Sequence, residues 1–143
     1  MTINQISIFL ENKFGKLSEI LSILNKENIR IIAATVADTS DYGILRIISS
    51  DQQKAYFLLK EKQVTANLSE VIAIETEPVI GKFAETIAYF TKAGIEIEYM
   101  YCFSVSRKSI LVLRTKNLEA AFDVIRKNNL NYMRESEFSN LCD

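Results

Sequence analysis

Between Ile3 and Leu10 the apolar residues Ile6, Ile8 and Leu10 fall on one face, and this period of two predicts a strand over 3–10. From Lys16 the period lengthens. Leu17, Ile20, Leu21 and Leu24 recur every three or four residues, which predicts a helix over 16–27 with one stripe turned to a core. β-branched residues dominate 29–38, the polar run Asp38-Thr39-Ser40-Asp41 makes a turn, and 42–49 is apolar again, so the pair predicts a hairpin. Ser50-Asp51 offers an N-cap to a second helix reaching about Lys62, with Ala55, Leu58 and Leu59 facing inward. A short strand over 64–67 closes the series.

The same series then runs a second time. Adding 66 to a residue number takes Gly15 to Gly81, Lys16 to Lys82, Glu19 to Glu85, Ile29 to Ile95 and Ile44 to Ile110 without a gap. The second copy predicts a strand over 70–77, a helix over 82–93 with Phe83, Ile87 and Phe90 inward, strands over 95–104 and 108–114, a helix over 117–128 and a strand over 130–136. Strand, helix, strand, strand, helix, strand is the split βαβ order. The expected fold class is therefore α+β: two tandem ferredoxin-like βαββαβ units, each an antiparallel sheet with helices on one face. The expected domains are residues 1–68 and 69–143, joined tightly around Leu68-Ser69-Glu70. In each copy a glycine turns the chain between the first strand and the first helix, and the repeat is organised around that turn.

Composition narrows the picture. With 48% hydrophobic and 24% charged residues, the chain has enough apolar material for packed cores. A net charge of −1 gives no general attraction for a polyanion, so neither nucleic acid nor an anionic membrane is an expected partner. No basic n-region opens the N-terminus and no run is long enough to span a bilayer, which makes the cytoplasm the expected location. Cys102 and Cys142 are too few and too far apart for a zinc site or a disulfide framework; a buried thiol is expected at Cys102 and an exposed one at Cys142. Units of about 66 residues have little core, and sheet edges offer unpaired backbone groups, so a homo-oligomer, a dimer, is expected.

The chain has no histidine, the commonest general base and metal ligand, and no phosphate-binding or nucleophile-elbow motif. Glu96 and Glu98 fall on one face of a predicted strand and are read as a solvated face or an intersubunit salt bridge rather than an acid/base pair. Tyr99, Tyr101 and Phe103 share a face, and packing explains them better than base stacking, because the next strand lacks the basic and aromatic signature of an RNA platform. The glycine turns differ in kind. A glycine at a helix start lets backbone approach a ligand, and the first turn of the helix offers unpaired N–H groups that can cradle a carboxylate. Asn12, three residues before Gly15, has an amide that would take an ammonium group beside it. Spacing alone favours the plainer reading, in which Gly15 makes a tight turn and Asn12 closes it.

Resemblance shifts that balance. The run Phe9-Leu10-Glu11-Asn12-Lys13-Phe14-Gly15-Lys16-Leu17, followed after one helix by Asn28-Ile29-Arg30-Ile31, resembles the ACT domain, a small regulatory module that binds amino acids. The second copy resembles it through Ile80-Gly81-Lys82-Phe83 and Ala93-Gly94-Ile95-Glu96-Ile97. The resemblance implies a ligand held at the interface between two modules, by Asn12, Phe14, Gly15, Lys16 and Leu17 of a strand-to-helix turn and by Asn28, Ile29 and Arg30 of a second-strand start. Phe14 stands where the family usually has proline. In the second copy Pro78 replaces the asparagine and Glu96 replaces Arg30, so the competent site is expected in the first. The implied function is a small-molecule-sensing regulatory protein with an amino-acid ligand, a regulated enzyme or transcriptional partner, no catalytic residue, no metal and no cofactor. A small ferredoxin-like enzyme using Lys16, Arg30 and the Glu96/Glu98 pair, or an assembly module with vestigial sites, stays open beside it.

Overall fold

The computed structural model describes residues 2–11, 14–38 and 41–140. The elements run β1 (Ile3–Glu11), α1 (Lys16–Lys26), β2 (Ile31–Asp38), β3 (Tyr42–Ser49), α2 (Gln52–Glu61), β4 (Ala66–Thr76), α3 (Lys82–Lys92), β5 (Tyr99–Val105), β6 (Lys108–Arg114), α4 (Leu118–Lys127), β7 (Asn131–Tyr132) and α5 (Glu135–Asn140). Two compact units result, the first comprising Asn4–Ser69 with Phe138–Asp143 and the second Met1–Ile3 with Glu70–Glu137.

In the first unit the strand order is β4-β1-β3-β2, and in the second it is β7-β4-β6-β5. Numbered within each unit, both read 4-1-3-2, the order of a split βαβ sheet. β1 and β3 are antiparallel with Ile8 opposite Leu45 and Leu10 opposite Gly43, and β4 and β6 are antiparallel with Ile74 opposite Leu111. Helices cover the face that the period-two pattern makes apolar. Ile6, Ile8, Leu45 and Ile47 pack with Ile20 and Leu24 of α1 and Ala55 and Leu59 of α2. Ile72, Ile74, Leu111 and Leu113 pack with Phe90 of α3 and Ala121 and Ile125 of α4.

Helix ends repeat as faithfully as cores. Asp51 accepts from the Lys54 N–H at 3.0 Å to cap α2, and its counterpart Asn117 accepts from the Ala120 N–H at 3.0 Å to cap α4. Replacing either by Ala should cost about 1 kcal/mol in chemical denaturation, since one orphan N–H loses its partner. At the other end, Ile29 donates to the Leu24 carbonyl and Asn28 to that of Asn25, closing α1 in a Schellman motif; Ile95 to Phe90 and Gly94 to Thr91 do the same for α3. The residue in the left-handed region is Asn28, Gln63, Gly94 and Asn129 after α1, α2, α3 and α4, with φ of 58°, 60°, 72° and 52°. Gln63 alone is neither Gly nor Asn. Gln63→Gly should therefore raise stability, by about 1 kcal/mol, read as a higher denaturation midpoint.

Several expectations needed correction. The strands predicted over 64–67 and 70–77 are one strand: β4 runs unbroken from Ala66 to Thr76, because no glycine or proline interrupts it. β2 and β5 start at Ile31 and Tyr99 rather than 29 and 95, since the N–H groups of Ile29 and Ile95 are used to close helices. The last predicted strand shrinks to Asn131–Tyr132, after which Glu135 and Glu137 in the first turn favour a helix, α5. Cys102 is exposed, not buried: β5 is an edge strand, where a side chain has a sheet neighbour on one side only. Cys142 and the turn residues Thr39 and Ser40 lie outside the described residues. No helix of the described residues is long and apolar enough to cross a membrane.

Candidate functional site

Gly15 sits at the N-cap of α1 with φ 85° and ψ −3°, and Gly81 at the N-cap of α3 with φ 93° and ψ −12°. A Cβ added at either would meet nothing within 4 Å, so backbone conformation and not crowding demands glycine there. Neither helix start is capped by a side chain. The Glu19 N–H donates to the Gly15 carbonyl at 2.9 Å, as the Glu85 N–H does to the Gly81 carbonyl, and at the second turn the Lys82 N–H also donates to the Val79 carbonyl at 3.3 Å. Gly15→Ala or Gly81→Ala should cost about 1–2 kcal/mol in urea unfolding, the penalty for placing a Cβ in the left-handed region.

Around Gly15 lies an open concavity of about 350 Å³, lined by Phe14, Gly15, Lys16 and Leu17 of the turn and by Leu10, Glu11, Val36, Asp38 and Gly43 of the strands. Hairpin register explains the second group: Gly43 lies opposite Leu10 in the β1–β3 pair and opposite Asp38 in the β2–β3 pair. That pairing was legible in the predicted hairpin, yet Glu11, Val36, Asp38 and Gly43 were not picked out from the sequence. In the second unit the counterpart concavity, about 330 Å³, is lined by Glu77, Pro78, Ile80, Lys82 and Phe83 with Ser109. Phe14 and Ile80, 66 residues apart, occupy the same place in the two turns and are both fully exposed, at 109% and 107%.

Charge at the two turns also repeats. Lys16 pairs with Glu19 at 3.8 Å and Lys82 with Glu85 at 3.4 Å, exposed pairs that contribute little stability. Glu85 has one further partner: the Tyr89 hydroxyl donates to it at 3.0 Å. That bond, and then Lys82, hold the Glu85 carboxyl below its ordinary range, and the same bond raises the Tyr89 hydroxyl. The pair stabilises the fold above the unfolded carboxylate range, and the contribution disappears as pH falls through the lowered Glu85 value.

Asn12 lies outside the described residues. Phe14, Gly15, Lys16 and Leu17 come together at the concavity, but Asn28, Ile29 and Arg30 do not join them. α1 has 11 residues, so about 16 Å of helix separates the turn from the strand start. There Asn28 is the left-handed cap residue, Ile29 is buried in the core, and the Arg30 N–H donates to the Ser50 Oγ at 3.1 Å. A ligand touching both groups must therefore be held by two modules. Of the acidic pair, Glu98 meets Arg114 at 3.7 Å, and both Glu96 and Glu98 precede β5 rather than lie in it. Among the described residues no cluster of His, Cys, Asp and Glu is arranged to hold a metal.

Comparison with known proteins gives three findings. A sequence-family model described as the ACT domain pair matches residues 1–142. The crystal structure of protein BT0572 from Bacteroides thetaiotaomicron is similar over 99% of this chain and 98% of its own, at 36% identity and a TM-score of 0.92. The regulatory subunits of aspartate kinase from Thermus thermophilus and Thermus flavus share the fold at 14% and 18% identity, with TM-scores of 0.60 and 0.59; 87% of this chain and 91% and 90% of theirs are covered. No curated protein matches in sequence.

Proposed function

The chain belongs to the ACT domain pair family, and we propose that it is a small-molecule-sensing regulatory protein, built of two ferredoxin-like ACT modules over 1–68 and 69–143, whose ligand is an amino acid. The observation that carries this reading is the uncapped start of α1 opening into the concavity at Gly15. The N–H groups of Leu17 and Ser18 suit a carboxylate. The Asp38 carboxylate on the same concavity, and Asn12, which follows the concavity residue Glu11 in sequence, suit an ammonium group. A zwitterion needs both halves.

Because Arg30 lies at the far end of α1, the proposed site is closed by the strand start of a second copy of the chain, and the proposed assembly is a homodimer. Ligand state is then reported to an enzyme or a transcriptional partner through that shared edge, without catalysis. A thermal-shift screen of the twenty amino acids tests this. One of them, at a hundred times its dissociation constant, should add about 2.7 kcal/mol of stability and remain chemically unchanged. Turnover of the bound amino acid, or no shift with any of the twenty, would refute the reading.

A further inference from the structure

β2 is the edge strand of the first unit and β5 that of the second, and the two edges are protected unequally. β2 carries a register shift between Ile31 and Ala33 and ends on the exposed Asp38; a bulge and a charge both discourage a further strand. β5 has neither device. Its seven residues, Tyr99-Met100-Tyr101-Cys102-Phe103-Ser104-Val105, include no charge, proline or glycine, and they pair with β6 without a register shift. Among the described residues β6 is its only strand neighbour, so on the other side alternate residues turn their N–H and C=O groups away from the sheet. Met100, Cys102 and Ser104 are exposed along it.

Charges lie just beyond the two ends of β5, and they differ in sign. Glu96 and Glu98 precede the strand, while Arg107 follows it at the β5–β6 turn, with φ of 64°, and Lys108 opens β6. Glu98 is matched by Arg114 at 3.7 Å and Lys108 by Glu75 at 3.5 Å. The side chains of Glu96 and Arg107, both exposed, have neither an ion-pair nor a hydrogen-bond partner among the described residues. Nor do they meet each other, because the seven strand residues between them, at about 3.3 Å each, hold them more than about 20 Å apart. An uncharged edge with an acidic end and a basic end is complementary to itself in antiparallel pairing.

We infer that β5 is the docking edge for β5 of a second copy of this chain, paired antiparallel about a two-fold axis at Cys102. All seven residues then pair: Tyr101 lies opposite Phe103 of the second copy, Met100 opposite its Ser104 and Tyr99 opposite its Val105. Aromatic cross-strand pairs favour this register. Any other that keeps the helices of both copies on one side leaves strand ends unpaired. Beyond each end, Glu96 of one copy comes beside Arg107 of the other, twice by symmetry. The intersubunit salt bridge expected of the acidic pair thereby gains its partner. This contact lies in the second unit and does not depend on the ligand proposed at Gly15.

The test uses the full chain carrying Cys142→Ser, so that Cys102 is the sole thiol. Opposed residues of antiparallel strands have Cα atoms about 4.5–5.5 Å apart, within disulfide reach. Diamide, which takes up the two thiol hydrogens, should therefore join Cys102 of one copy to that of another and give a linked pair on a non-reducing gel. Before oxidation, sedimentation velocity should show reversible association. Glu96→Arg and Arg107→Asp, the second a change that left-handed backbone tolerates, should each weaken association about tenfold and slow the cross-link, because each sets like charges together at both ends. Combining the two should restore both readouts, which no contact within one chain can do across that distance. Failure of the double variant to recover, or no effect of either single change, would overturn the inference. Association without a Cys102 cross-link would overturn it too, and would leave a dimer closed at Gly15 standing. A chain that sediments as a monomer at every concentration would overturn both contacts.

Discussion

Phe90→Ala is expected to cost about 3–5 kcal/mol of stability, while Phe57→Ala costs less than about 0.5 kcal/mol. Both are aromatic residues on amphipathic helices, and the difference lies in where the helix turns them. Phe90 is fully buried against Ile72, Ile74, Leu111 and Leu113, so truncation removes its transfer free energy and leaves a cavity that the paired strands cannot close. Phe57 is 63% exposed on the outer face of α2, where truncation removes little buried area. Urea unfolding of the two variants reads the comparison directly. A loss at Phe90 no larger than at Phe57 would mean that α3 is not the second unit's main cover.

Replacing Asn12 by Ala should weaken amino-acid binding by about ten- to a hundredfold while leaving the denaturation midpoint nearly unchanged. On the proposed reading the change takes away one hydrogen bond to the ligand's ammonium group, a loss of about 1.5–3 kcal/mol. Pro78, its counterpart, has no N–H and no side-chain acceptor, so Pro78→Ala should leave affinity at the first turn as it was. Calorimetry on both variants, with the amino acid that the thermal-shift screen returns, makes the comparison. Equal losses would mean that the two turns contribute alike and that the asymmetry drawn from Asn12 and Pro78 is mistaken.

Much of the fold was legible because the signals that specify it are local and occur twice. The period change at Lys16 and at Lys82 marks real helix starts, and Asp51 and Asn117 cap real helices. What escaped was decided by hydrogen bonds that periodicity does not register. Ile29 and Ile95 look like strand residues by composition, yet their N–H groups go to Leu24 and Phe90 to close helices. At 130–136, Tyr132 and Met133 read as a strand, and Met133 does donate to the Ala73 carbonyl at 2.7 Å, but the acidic residues that follow turn the chain into α5.

The site was legible in part. Gly15 stood out because a glycine between a strand and a helix signals a left-handed N-cap, and its φ of 85° is of that kind. The strand-start residues stood out only through the family resemblance, and the fold places them a helix length away. Asp38 and Gly43 went unnoticed because, although they pair with each other across the predicted hairpin, it is the β1–β3 pairing of Leu10 with Gly43 that brings the hairpin to the turn, and no local window contains it.

A crystal structure of the chain grown with the amino acid that stabilises it most tests the central claim most directly. The account predicts ligand density at the start of α1, its carboxylate about 3 Å from the N–H groups of Leu17 and Ser18 and its ammonium group toward Asp38, closed by Arg30 of a second copy. Well-ordered crystals in which that ligand is bound elsewhere, with the turn at Gly15 empty, would contradict it.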